Sequence, residues 1–132
     1  MIYGVGMDML EIRRMNKIME GKAAQRFLER ILTLAERNLA ATRKGRFSEF
    51  IAGRFAAKEA VVKALGCGIG KSVGFQDIEV LPDALGKPCC TIAAPALARL
   101  SLPLDSTLRV HLSITHSESM AAAYVIIEIM EN

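Results

Sequence analysis

The chain has 132 residues, 52% hydrophobic and 23% charged, with a formal charge of +3. That size suits one domain around one core, and the composition argues against a disordered chain. No uninterrupted apolar run reaches the roughly 18 residues of a membrane span, and a 5% aromatic content without tryptophan argues against a stacking surface for nucleic acid. Three cysteines (Cys67, Cys89 and Cys90) with no CxxC pair argue against a disulfide framework or a structural zinc site. Met1 to Asp8 lacks the basic segment and long apolar stretch of a signal peptide, so the cytosol is the expected compartment.

Ile2 to Leu10 reads as a strand, apolar and alternating, interrupted by Gly4 and Gly6. The two glycines are no dinucleotide fingerprint, because they lie inside the strand and the third glycine is missing. Asp8 is the strand's one charge. A charge among apolar residues needs a partner: a ligand, a helix cap or an ion pair would each serve. The residues alone favour the cap or the ion pair.

Glu11 to Met19 and Lys22 to Leu32 read as short amphipathic helices. Ile12, Met15, Ile18 and Met19 form one apolar stripe, and Phe27, Leu28, Ile31 and Leu32 the other. Arg13, Arg14, Lys17, Arg26 and Arg30 occupy the opposite faces. Thr33, with Glu36 three residues on, predicts a capping box opening a third helix that ends near Thr42. After the basic turn Arg43-Lys44-Gly45-Arg46, a long helix starts near Ser48 and stops at Gly66. Cations are dense from Arg13 to Lys63, and such a basic face fits an acidic partner.

Within that long helix, Gly53 to Gly66 carries the helix formers Ala, Leu, Lys and Glu and is free of proline. At about 3.6 residues per turn, Glu59 stacks on Lys63 and Arg54 on Lys58, while Phe55, Val62 and Leu65 face a core. One acid among cations suits a metal held beside a phosphorylated substrate, with the cations neutralising phosphate oxygens. Taken alone, the stretch also reads as a solvated helix with two i,i+4 contacts.

Cys67 to Gly74 is a glycine-rich loop. Gly70-Lys71-Ser72 is not the end of a P-loop: the glycine required five residues earlier is Leu65, and the loop follows a helix. Gln76 to Leu81 and Cys89 to Ala93 read as paired strands around a turn from Pro82 to Pro88, and Pro95 opens a short helix to Leu100. Leu108 to His116 and Ala121 to Met130 are two more strands, joined near Ser117-Glu118-Ser119. The last strand and its end carry only Glu128 and Glu131, so it belongs in the centre of a sheet or at a subunit interface. The expected fold is α+β, one domain over residues 1–132, with helices packed on a mainly antiparallel sheet that the first strand joins.

Four segments together resemble a known family. They are Gly4-Val5-Gly6-Met7-Asp8-Met9-Leu10-Glu11-Ile12, then Arg54-Phe55-Ala56-Ala57-Lys58-Glu59-Ala60 with Lys63-Ala64-Leu65-Gly66, then Gly86-Lys87-Pro88, and Ser113-Ile114-Thr115-His116-Ser117. The chain is similar, nearly end to end, to the short bacterial 4′-phosphopantetheinyl transferases of the holo-[acyl-carrier-protein] synthase family. The resemblance implies that fold and a magnesium-dependent transfer of phosphopantetheine from coenzyme A to a serine of apo acyl carrier protein. Adenosine 3′,5′-bisphosphate is released, and the product serves fatty acid biosynthesis. It implies that Asp8 and Glu59 ligate magnesium and that Lys63 stabilises or protonates the leaving group. Glu59, or a water on the metal, takes the serine proton. It further implies that Arg54, Lys58, Lys63, Gly86, Lys87, Pro88 and His116 bind coenzyme A, and that Arg14, Lys17 and Arg26 grip the acidic carrier protein. The family's short members are homotrimers with sites between subunits. His111 keeps a structural reading. Two departures from the pattern, Met120 where relatives often carry an aromatic and the hairpin from Pro82 to Leu85, bear on the adenine contacts. A catalytically silent binding module of the same fold is the alternative, although Asp8, Glu59 and Lys63 are all present.

Overall fold

Residues 1–102 and 107–130 are described by a computed structural model; Glu131 lies outside them. In chain order the elements are β1 (Ile2–Glu11), α1 (Ile12–Glu20), α2 (Ala24–Ile31), α3 (Leu34–Ala40), α4 (Phe47–Leu65), β2 (Ile78–Pro82), β3 (Pro88–Ile92), α5 (Ala94–Arg99), β4 (Leu108–His116) and β5 (Met120–Ile129). The class is α+β, as expected. β5 is central, paired antiparallel with β1 on one side and β4 on the other.

Alternation along β5 explains that position. Ala121, Ala123, Val125 and Ile127 are buried against α4, and the opposite face is also largely apolar. Small residues Ala56, Ala57, Ala60 and Ala64 let α4 lie close under the sheet, with Val61, Val62 and Leu65 filling the rest of its girth. Each of these larger side chains contributes about 1.5–3 kcal/mol by leaving water. α4 is covered nearly all round, and Lys63 is its one exposed residue. The helix stops at Gly66, whose left-handed backbone (φ 81°) sends its N–H back to the carbonyls of Val62 and Lys63.

The capping box forms as predicted. Glu36 N–H donates to Thr33 Oγ1 at 3.2 Å, and Thr33 N–H donates to Glu36 Oε1 at 2.8 Å. Two expectations change. Gln76 is not in a strand: Phe75–Asp77 is a 3-10 turn, fixed by Asp77 Oδ2 accepting from the Gly74 N–H at 2.8 Å. The hairpin β2–β3 forms a sheet of its own rather than extending the main one. Side chains close the outer edge of β2, since Val80 N–H donates to Glu36 Oε2 at 2.7 Å and Val80 C=O accepts from Arg54 Nε at 3.2 Å.

Candidate active site

The placement of Asp8 begins with two glycines. A Cβ on Gly4 would sit 1.8 Å from the Ala64 carbonyl oxygen, and one on Gly6 1.9 Å from that of Ala60. β1 and α4 therefore touch backbone to backbone, which only glycine permits. Asp8, two residues beyond Gly6 on the same face, is thereby carried onto α4. Lys63 Nζ donates to Asp8 Oδ1 at 3.0 Å and to the Met7 carbonyl at 3.1 Å. The ion pair allowed for Asp8 is thus present. Burial, and then the charge of Asp8, raise the Glu59 carboxyl above its ordinary pKa, while Lys63 pulls it down. Asp8 and Glu59 share one cleft of about 290 Å³ with Arg14, over a floor that includes Met15, Phe27 and Phe55.

The donor set fits magnesium. This hard cation takes oxygen ligands, commonly one or two carboxylates, with substrate phosphates and waters supplying the rest. A carboxylate whose proton affinity is raised by a neighbouring carboxylate is also one that a divalent cation relieves. Among the described residues no group of three or more His, Cys, Asp or Glu could hold a metal, so a soft-metal or all-protein cage is not built here.

A second cavity, of about 220 Å³, lies towards the N-terminal half of α4. It is lined by the side chains of Arg43, Arg46 and Arg54 and by Pro82, Gly86 and Pro88 of the hairpin, with His116 and Glu49 at one wall. Two guanidinium groups lie over the Phe50 ring, with Arg54 Cζ 4.3 Å and Arg43 Cζ 5.4 Å from its centre. Burial draws the Arg54 pKa down to about 10, with Glu36 opposing and Arg43 adding to the fall. Arg54 stays cationic at neutral pH, and an anion between these cations would relieve their repulsion. His116 Nδ1 lies 2.6 Å from Glu49 Oε1. A carboxylate only accepts, so Nδ1 carries the proton and the ring is held in one orientation.

Arg54, Gly86, Pro88 and His116 thus converge. Lys87 does not line this cavity; it borders a separate groove with Cys89, Cys90 and Tyr124. Lys58 is corrected outright. Its side chain is 0% exposed and its three donors are spent on Glu36 Oε1, the Ile31 carbonyl and the Phe75 carbonyl, so it contacts no substrate. Arg14, Lys17 and Arg26 are all exposed. Arg43, Arg46, Glu49 and Phe50 went unread as site residues; the only local signal was the basic turn itself.

Two carboxylates in one cleft, one of them paired with a lysine, and a second cavity lined by three arginines are the equipment of a group transferase that handles phosphates. The profile of the 4′-phosphopantetheinyl transferase superfamily matches residues 4–125. The holo-[acyl-carrier-protein] synthase of Bacillus cereus (strain G9842) is 49% identical over 129 residues, 97% of each chain. The crystal structure of a holo-(acyl-carrier-protein) synthase from Bacillus anthracis in complex with CoA (3′,5′-ADP) is 46% identical, with 98% of each chain covered and a TM-score of 0.81. That of the Helicobacter pylori synthase in complex with coenzyme A is 31% identical, covering 94% of this chain and 99% of the other, with a TM-score of 0.80. The chain belongs to this superfamily and is an enzyme of it, a phosphopantetheinyl transferase of the holo-[acyl-carrier-protein] synthase type.

Proposed function

We propose that this chain transfers 4′-phosphopantetheine from coenzyme A to a serine of apo acyl carrier protein, using Asp8, Glu59 and Lys63 as its chemical centre. The observation that carries the reading is the joining of Asp8 to Lys63 at 3.0 Å beside Glu59, across a strand–helix contact that tolerates no side chain. The serine oxygen forms a bond to the phosphorus attached to pantetheine, and the bond from that phosphorus to the bridging oxygen breaks. Adenosine 3′,5′-bisphosphate leaves. Glu59, with its raised proton affinity, accepts the serine proton at its carboxylate. Lys63 Nζ neutralises the departing phosphate. Asp8 and Glu59 would hold magnesium, which when bound supplies charge neutralisation at the diphosphate. Arg43, Arg46, Arg54 and His116 bind the nucleotide end; Lys87, which borders a separate groove within one chain, is left out of that set.

Among the described residues no helix is long and apolar enough to cross a membrane. Three free cysteines suit the reducing cytosol, where we place the reaction. The product is the holo carrier that fatty acid synthesis uses.

The two cavities share no lining residue. Arg54 and Glu59 stand five residues apart on α4, about 140° round its axis. Neither cavity completes the other within one chain, which supports a site shared between copies. An apolar outer sheet face, with Val5 50%, Met7 49%, Met9 53% and Tyr124 47% exposed, supports the same arrangement. We assign it to a homotrimer. Sedimentation of the purified protein should give the mass of three chains; a monomer at micromolar concentration would remove this part of the proposal.

Arg14 borders the cleft of Asp8 and Glu59, and Lys17 and Arg26 extend a basic surface from it along α1 and α2. An acidic carrier protein fits there. Arg14→Glu should raise KM for carrier protein about tenfold while leaving KM for coenzyme A within about twofold, with the effect shrinking at high salt. Equal rises in both constants would refute the docking role.

The direct test is mass spectrometry of apo acyl carrier protein incubated with this protein, coenzyme A and magnesium. A gain of one phosphopantetheine, lost on chelation, is expected. No gain against several carrier proteins, with the protein folded, would leave the silent binding module.

A further inference from the structure

We infer that the buried Glu36–Lys58 pair is a positioning device for Arg54, acting through Val80 of β2 to aim that guanidinium into the nucleotide cavity. The inference rests on the function proposed above. Both side chains of the pair are 0% exposed and their charged atoms are 2.6 Å apart. Lys58 Nζ also donates to the Ile31 carbonyl at 2.8 Å and to the Phe75 carbonyl at 2.9 Å. One ammonium thus ties the end of α2, the start of α3 and the turn before β2 to α4. Glu36 spends Oε1 on Lys58 and on the Thr33 N–H, and Oε2 on the Val80 N–H at 2.7 Å.

Val80 is the relay. Its N–H and C=O both face away from β3, where a further strand would otherwise pair. Glu36 takes the N–H, and Arg54 Nε takes the C=O at 3.2 Å. With Nε committed and the guanidinium lying over Phe50, the rest of the Arg54 fork is left for the cavity that Arg54 lines. An arginine that must read a phosphate loses value if it swings, and a single backbone carbonyl fixes it only if that carbonyl is itself fixed.

Stability alone does not explain the pair. Replacing both members of a buried ion pair by apolar or neutral groups of similar volume is often neutral for folding. Three elements could be packed here without charge, but Val80 N–H needs an acceptor on that edge to hold β2 in place.

The test is calorimetric binding of adenosine 3′,5′-bisphosphate, together with steady-state kinetics. Glu36→Gln keeps the volume and one oxygen, and turns the other end into an amide that cannot accept from Val80 N–H. The double variant Glu36→Leu with Lys58→Met removes both charges and the acceptor for Val80 N–H at similar volume, and guards against misfolding from an unpaired lysine. Both should weaken bisphosphate binding and raise KM for coenzyme A about tenfold, with kcat and KM for carrier protein within about twofold. In an Arg54→Ala background, Glu36→Gln should cost nothing further, because the residue it positions is gone. Folded variants that bind like the wild type, or losses that add in the Arg54→Ala background, would overturn the inference while leaving the reaction intact. A wild-type protein that neither binds the bisphosphate nor transfers pantetheine would overturn both.

Discussion

Replacing Glu59 with alanine abolishes transfer, lowering kcat/KM by at least about 10³-fold while the fold stays intact. The size follows from what one carboxylate does in this cleft. In the proposed reaction it would supply one of the two acidic ligands for magnesium and would take the serine proton. Glu59→Gln, which keeps shape and loses charge, should be nearly as inactive and serves as the control for folding. Burial, and then Asp8, raise the Glu59 pKa above its ordinary 4.5, with Lys63 opposing. In the metal-free protein the folded state therefore binds more protons than the unfolded state above about pH 4.5. Stability from this group is present at low pH, declines as pH rises through that window, and stays lost at neutral pH. Glu59→Gln escapes the decline, so in chelator at pH 7 it should melt at or above the wild-type temperature. Activity and thermal denaturation measured on the same samples check both halves. Transfer within tenfold of wild type would remove Glu59 from the centre, and a lower melting temperature for Glu59→Gln would contradict the electrostatic account of its site.

What could be read from the residues alone was local. The capping box at Thr33 and Glu36 needs only three residues of spacing, and the stop at Gly66 needs one. An apolar β5 announced its central place, because both of its faces are covered or fit to be covered. Lys58 was misread for a physical reason. Helical spacing puts it one turn from Arg54, but spacing cannot say which stripe of a helix is buried, and α4 is buried almost all round. A lysine there reads as a surface cation until Glu36, Ile31 and Phe75 are seen to enclose it. The cavity of Arg54 and His116 was half legible for a related reason. His116 is held by Glu49, and Arg54 by Val80, across 67 and 26 residues of chain. No periodicity links such partners. The separateness of the β2–β3 hairpin was hidden in the same way, since it follows from a glutamate and an arginine closing a strand edge. The family motifs brought Asp8 and Glu59 together before the structure did. They did not explain why two glycines precede the aspartate.

Those glycines carry the largest expected effect on stability. Gly6→Ala should destabilise the protein by at least about 3 kcal/mol, lowering its melting temperature by roughly 10 °C, and a folded remnant should have lost most transfer activity. A Cβ at this position would lie 1.9 Å from the Ala60 carbonyl oxygen and 2.8 Å from the Ala64 amide nitrogen. Both are helix backbone, so no side chain can rotate away to make room. Either β1 lifts off α4 or α4 bends, and β1 is also bound along its length to β5. Ordinary overpacking of a core costs about 1–3 kcal/mol because side chains share the displacement, and here they cannot. The chemistry suffers separately. Asp8 lies two residues along the same strand, so a lifted β1 opens its contact with Lys63 and its approach to Glu59. The fall in kcat should therefore exceed the unfolded fraction at the assay temperature. Gly70→Ala is the matched control: a Cβ there meets nothing within 4 Å and its backbone is not left-handed, so it should change stability by less than about 0.5 kcal/mol. A Gly6→Ala protein melting within about 2 °C of wild type would show that β1 and α4 have room to part. The strand–helix contact would then no longer account for where Asp8 stands.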